Sequence, residues 1–204
     1  MSAQRRVAVL VSGGGRSLEN LAAKIASGEL DARIVLVIAN TPTALALDRA
    51  RKLALPSAVI DHREFDGAGA FSDAVFAALD ASEAELTLLA GFLRQLVVPR
   101  RWSRRMLNIH PALLPKFGGK GMYGERVHKA VLEARETVSG CTVHYVTDEY
   151  DSGPIVVQRR VPVHPSDTPH DLAARVFEEE KIALPAAIAL HFERGTAEPA
   201  QNAR

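Results

Sequence analysis

Five short runs, VAVLV (7–11), RIVLVIA (33–39), SAVID (57–61), ELTLLAG (85–91) and MLNI (106–109), are apolar at successive positions rather than at every second one. Apolar neighbours on a strand face opposite sides, so these runs predict strands covered on both faces. Between them the apolar spacing becomes helical, over 17–27, 44–54, 69–81 and roughly 96–104. Strands and helices in alternation predict an α/β chain with a doubly wound, mostly parallel, Rossmann-like sheet.

After Pro115 the pattern changes. A glycine-rich stretch leads into a predicted helix over 124–135, and then VSGCTVHYVT and PIVVQRRVPV read as two strands joined through DEYDSG. That spacing predicts an antiparallel C-terminal addition to the sheet. A long final helix, about 168–193, shows Leu172, Val176, Phe177, Leu184, Ile188 and Phe192 as its apolar face. Residues 1–6 and about 195–204 are expected to be frayed tails. With 204 residues, 47% of them hydrophobic, the chain suits one domain over 1–204 rather than two.

Charge narrows the partners. Twenty-five Lys and Arg against 24 Asp and Glu leave +1, too little for a long-range field toward nucleic acid or an acidic membrane. The cluster RRWSRR (100–105) mixes cations with Trp102, but in so balanced a chain it reads as a solvated helix with Trp102 turned inward. A single cysteine, Cys141, excludes an internal disulfide framework and a multi-thiolate zinc site, and fits a reducing cytoplasm. The five-residue apolar run at 7–11 is too short for a signal-peptide core, and no run approaches membrane-spanning length. His62, His164, His170 and His191 lack ligand spacing and read as surface or structural.

Two polar constellations carry the candidate chemistry. Gly13, Gly14 and Gly15 lie between the first strand and a helix beginning near Ser17, where unpaired N–H groups suit a phosphate. The spacing matches neither G-x-G-x-x-G nor a nucleoside triphosphate loop, and a tight strand-to-helix turn without a ligand fits it too. At the end of the fifth strand, Asn108 and His110 break an apolar run on the rim where open parallel sheets bind ligands. Thr142 and His144 then share one face of a later strand, followed by Asp148 and Asp151. A carboxylate beside His110 is expected to orient the imidazole and keep it charged. Spacing alone does not choose between the two aspartates.

The segments LVSGGGRSLENL, LLAGFLRQL, LNIHPALLPKFGGKGMYG, SGCTVHYVTDEYDSGPIVVQ and RVFEEEKIALP together resemble the phosphoribosylglycinamide formyltransferase family. The resemblance covers about residues 7–195 and implies the formyltransferase fold. It implies Asn108, His110 and Asp151 as catalytic residues, with Asp148 shaping the loop, and Gly15, Arg16, Ser17 and Glu180 as substrate-binding residues. It implies a folate pocket at Leu93, Arg94, Leu96, Asn108, Thr147, Asp148, Tyr150 and Asp151, with His144 and Thr142 supporting. Three positions depart from the pattern. Phe177 stands where many members carry a polar residue, Ala68 where an Arg often assists folate, and the 117–124 loop is a longer glycine-rich variant, so no role passes to His128.

What the resemblance implies is transfer of the formyl group of 10-formyltetrahydrofolate, as cosubstrate, to the amine of 5-phosphoribosylglycinamide in purine biosynthesis. Asn108 and His110 would stabilise the oxyanion of a tetrahedral intermediate while Asp151 assists proton movement. No metal is expected, Cys141 is expected to pack rather than react, and the expected state is a monomer or weak homodimer with small-molecule partners only. The alternatives are a formyltetrahydrofolate hydrolase, whose members usually carry an amino-terminal regulatory domain, and a non-catalytic phosphate- or nucleotide-binding domain. Methionyl-tRNA formyltransferase, a further relative, has an added carboxyl-terminal RNA domain, whereas this sequence stops soon after its last helix.

Overall fold

In the computed structural model, which describes residues 4–194, the first apolar run forms β1 (Arg5–Val11). Its Val7, Val9 and Val11 enter one hydrophobic cluster while Ala8 and Leu10 enter another. Each fully buried Val or Leu contributes about 1.5–3 kcal/mol, so a strand apolar on both faces is held from both sides. Arg5 and Arg6 belong to this strand, which corrects the expectation of a frayed tail through residue 6. Arg6 is tied down because its N–H donates to Glu85 Oε2 at 2.8 Å. The tail expected from 195 onward lies outside the described residues.

The other strands are β2 (Ala32–Ala39), β3 (Ser57–Val59), β4 (Leu86–Leu89), β5 (Met106–His110), β6 (Val138–Tyr145) and β7 (Ile155–Pro162). They form one seven-stranded sheet in the order β3-β2-β1-β4-β5-β6-β7. The first five strands are parallel, and β6 and β7 add antiparallel, as the sequence predicts. The helices are α1 (Arg16–Ala26), α2 (Ala46–Lys52), α3 (Gly67–Ala81), α4 (Glu125–Glu133) and α5 (Pro169–Arg194). Leu18, Leu21, Ala46, Val131, Leu172, Val176, Leu184 and Ile188 join the first cluster, so α1, α2, α4 and α5 cover one face. Phe71, Val75, Phe76 and Leu79 place α3 on the other, with Trp102.

A proline interrupts the final helix without breaking it. Pro185 has no N–H to give the carbonyl of Lys181. The side chain of Asn20 on α1 donates to that carbonyl instead, at 3.0 Å. One bond thus satisfies a group that the helix itself leaves open and fastens α5 to α1.

The helix expected over roughly 96–104 is absent, replaced by a single 3-10 turn at Arg100–Trp102. The backbone donors before it are used elsewhere: Val97 N–H donates to Ser72 Oγ at 2.9 Å and Val98 N–H to Asp148 Oδ1 at 3.3 Å. Pro99 adds no donor, so a helical ladder has nothing to start from. Trp102 is nevertheless fully buried, its Nε1–H donating to Asp80 Oδ1 at 2.8 Å. Arg101 pairs with Asp80 at 2.8 Å, and Arg105 stacks on Trp102 at 4.2 Å while donating to the carbonyls of Ala84 and Glu85. Arg104 lies over the Tyr145 ring at 5.0 Å, so three of the four cations of the cluster have partners inside the protein.

Candidate active site

Chain order sets the position of the site. From β1 the chain moves outward to β2 and β3, then returns to the other side of β1 as β4, leaving a crevice beyond the carboxyl ends of β1 and β4. Two bonds hold the loops that leave those strands together: Ser12 N–H donates to Gly91 O at 3.1 Å, and Leu93 N–H to Ser12 Oγ at 2.8 Å. Gly15 caps α1 with φ 78°, and a Cβ there would lie 2.7 Å from Cβ of Ala46. Only glycine allows both the left-handed backbone and this approach, which leaves the N-terminal N–H groups of α1 open to an anion.

The crevice opens into a cleft of about 850 Å³ that takes in Gly15, Arg16, Ser17 and Glu180 together with Leu93, Arg94, Leu96, Thr147, Asp148 and Tyr150. Asn108, His110, His144 and Asp151 line the same cleft. Residues drawn from five segments of the sequence therefore meet in one place. Thr142 does not line it. The residue is fully buried, donates from Oγ1 to Ala112 O at 2.6 Å and accepts from Leu114 N–H at 3.1 Å, bracing the turn after His110.

Asp151 joins the polar groups. Antiparallel register sets Asn108 opposite His144 and His110 opposite Thr142. Asn108 Nδ2 donates to Asp151 Oδ1 at 3.2 Å and lies 3.1 Å from His144 Nε2. His144 Nδ1 is 2.9 Å from the carbonyl of Tyr145, which fixes the tautomer that donates from Nδ1 and accepts from Asn108 at Nε2. Both amide hydrogens of Asn108 are therefore directed at protein acceptors, not freely into the cleft. The other carboxylate oxygen, Oδ2, accepts from Gly119 N–H at 2.9 Å and lies 3.5 Å from His110 Nδ1. His110 Nε2–H donates to the carbonyl of Phe117 at 2.8 Å.

Of the two aspartates, it is Asp151 that faces His110. Asp148 shapes the loop: its carbonyl accepts from Gln95 Nε2 at 3.0 Å and its Oδ1 from Val98 N–H. Burial raises the Asp151 carboxyl, but the neighbouring His144 ring, the charge of His110 and the Gly119 N–H together carry it below the ordinary value of 3.8. For His110 the balance runs against the expectation that its carboxylate neighbour keeps the imidazole charged. Burial lowers its pKa more than Asp151 and the Phe117 carbonyl raise it, so it sits below 6.5.

The other singled-out residues divide into cleft and core. Arg16 lies over the Phe177 ring at 4.1 Å, so Phe177, expected on the core face of the last helix, instead supports the cation beside the glycine turn. Glu180 is pushed up to about 7 by burial, against the pull of Arg16. Ala68, exposed at the start of α3, is outside the cleft lining. Cys141 is buried and its thiol is pushed up to about 12, chiefly by burial, so it carries no thiolate at neutral pH. Of the scattered histidines, His170 lines the cleft, while His62 bonds the Asn40 carbonyl and His191 the Tyr145 hydroxyl. Among the described residues, no three His, Cys, Asp or Glu side chains are arranged to hold a metal ion.

Sequence reasoning missed three contributors. The Phe117 carbonyl and Gly119 N–H are backbone groups, which no residue type announces. The third is His128, which lines the cleft and shares the buried side of α4 with Val127 and Val131; its place on that apolar stripe was the available signal.

Residues 5–188 match the family described as formyl transferase. The chain is 44% identical over 191 residues to the trifunctional purine biosynthetic protein adenosine-3 of Drosophila pseudoobscura pseudoobscura, covering 92% of this chain and 14% of that protein. It is 38% identical over 180 residues to the chloroplastic phosphoribosylglycinamide formyltransferase of Arabidopsis thaliana, covering 87% of this chain and 62% of that one. Among solved structures, glycinamide ribonucleotide transformylase 1 from Symbiobacterium toebii superposes with a TM-score of 0.88 at 36% identity, over 95% of this chain and 90% of that chain. The phosphoribosylglycinamide formyltransferase of Brucella melitensis gives 0.81 at 36% identity, over 97% and 100%.

Proposed function

The chain belongs to the formyl transferase family, and from that premise we propose that it transfers the formyl group of 10-formyltetrahydrofolate to the amine of 5-phosphoribosylglycinamide in purine biosynthesis. The observation that carries this reading is the single cleft in which Asp151, His110 and Asn108 meet both a glycine turn suited to phosphate and the loops at 93–96 and 147–150. The turn, with Arg16, Ser17 and Glu180, suits the phosphoribosyl amine. Half-exposed Leu93 and Tyr150 beside buried Leu96 offer an apolar bed, with backbone groups, for the folate ring.

The amine attacks the formyl carbon, the carbonyl electrons move to oxygen, and a tetrahedral centre forms with a negative oxygen and a protonated nitrogen. His110 enters the step neutral, because its pKa lies below 6.5, and its Nδ1, 3.5 Å from Asp151 Oδ2, takes up through Asp151 the proton that the attacking nitrogen sheds, standing as an imidazolium beside the negative oxygen until that proton passes on. Asp151, directly or through water, moves the proton of the attacking nitrogen to the departing folate nitrogen as the carbon–nitrogen bond breaks. Asn108 supplies the second donor to the oxygen. When Asp151 gains the proton it becomes a weaker acceptor, and the 3.2 Å bond from Asn108 is released for the oxyanion.

Purified protein given 10-formyltetrahydrofolate should deformylate it only when glycinamide ribonucleotide is present. Turnover without the amine would make it a hydrolase, and binding without turnover a phosphate- or nucleotide-binding domain. This reading takes residues 1–204 as one domain working in the cytoplasm as a monomer or weak homodimer; the one continuous sheet supports its single-domain part.

The proton assignments give a pH dependence. With Asp151 held below 3.8 and His110 below 6.5, the resting form is carboxylate plus neutral imidazole throughout pH 6.5–8. At saturating amine, kcat/KM for the folate is expected to fall only below about pH 6.5, as His110 takes up a proton before it is needed. A fall as pH rises from 6 to 8 would instead make the imidazolium the resting catalyst. Titration of the His110 ring protons by NMR provides the independent check.

A further inference from the structure

One polar side chain in the cleft has no part in this scheme. His128 on α4 is 4% exposed, lines the cleft, and holds its Nδ1 buried with no hydrogen-bond partner. Helical spacing directs the residue inward beside Val127 and Val131, where an apolar side chain would pack without leaving a polar atom unpaired. A buried imidazole with unused hydrogen-bonding capacity at the wall of a binding cleft calls for a partner from the ligand.

Its surroundings select the chemistry of that partner. Burial, then the charge of His110, then that of Arg16 push His128 down to about 4, so it is neutral at pH 7. His128 is thus within electrostatic reach of both the reacting centre and the cation at the glycine turn. In the acceptor assigned above, the phosphate and the amine stand at opposite ends of the molecule and the ribose lies between them. A neutral imidazole, with one donor and one acceptor nitrogen, matches a hydroxyl group, which also gives and accepts one bond.

We propose that His128 recognises a ribose hydroxyl of the phosphoribosyl amine and sets the preference for a ribosyl over a deoxyribosyl acceptor. This rests on the acceptor named under the proposed function, and the two can fail separately. The residue binds substrate and takes no part in the proton transfers.

The test compares the parent protein with His128→Ala and His128→Gln, using glycinamide ribonucleotide and its 2′-deoxy and 3′-deoxy counterparts at saturating folate. In the parent, removal of the recognised hydroxyl is expected to raise KM about fivefold, the effect of one hydrogen bond. His128→Ala should raise KM for the ribosyl substrate by about the same factor. It should leave KM for that deoxy substrate, KM for folate and kcat within about twofold, and His128→Gln should restore part of the discrimination. A third variant, His128→Leu, should raise KM without lowering the thermal midpoint, because it removes an unpaired buried nitrogen. Equal rises in KM for ribosyl and both deoxy substrates, or a lower midpoint with discrimination intact, would overturn the inference while leaving the transferase reading in place. No transfer by the parent itself would overturn the acceptor and the inference together.

Discussion

Replacing Asp151 with asparagine is expected to lower kcat by about a thousandfold or more, while KM for the folate changes little. The substitution removes the charge to which the proposed mechanism assigns the proton transfer and also disrupts the geometry. One carboxylate oxygen accepts from Asn108 Nδ2 at 3.2 Å, and the other from Gly119 N–H at 2.9 Å. An amide has only one oxygen, so in either orientation its NH2 group faces one of those donors. The loop that carries the folate-side residues has its own ties, from Gln95 and Val98 to Asp148, which is why binding should survive. Single-turnover measurement with both substrates bound separates the chemical step from binding. A variant that keeps more than a tenth of the parental rate would remove Asp151 from the proton path.

Asn108→Ala should cost about 10²–10³ in kcat, the loss of one oxyanion donor, corresponding to about 2.7–4 kcal/mol. Here too the variant does more than delete a contact. His144 Nε2 and Asp151 Oδ1 both lose the hydrogen that Asn108 provides between them. The two substitutions should therefore not be independent. If proton arrival at Asp151 is what releases the Asn108 donor, the double variant should be about as slow as Asp151→Asn alone rather than slower by the product of the two losses. Multiplicative losses would mean that Asn108 acts on the oxyanion without reference to Asp151. Titration with a non-reactive folate analogue should show near-parental affinity for both single variants.

How far these groups were legible follows from what each depends on. The strands of the parallel sheet could be read because burial on both faces leaves a run of apolar residues, as in Val7 to Val11. Asn108 and His110 were legible for the opposite reason, as polar residues in such a run. Local periodicity misled where distant side chains captured the backbone, as Ser72 and Asp148 do at Val97 and Val98. Phe177 fits the helical period of the core face, yet its ring lies beneath Arg16, a partner 161 residues away in sequence that no spacing reveals. The charge state expected for His110 came from its carboxylate neighbour alone. Depth of burial, a property of the assembled fold, outweighs that neighbour.

The bond from Asn20 to the Lys181 carbonyl bears on how the protein acquires its activity. It connects α1 with α5, the second and the last of the described elements, and α5 carries both the Glu180 wall of the cleft and the cover over β6 and β7. On a ribosome, α1 emerges long before the helix against which it packs, and its apolar side stays uncovered until α5 has been made. Contacts so far apart in sequence form slowly, since the intervening chain must be ordered first. The appearance of formyl transfer in a refolding or translation reaction should therefore coincide with the docking of α5, later than the gain of helix and sheet signal. Enzymatic activity is in that sense a clock for the final step of folding.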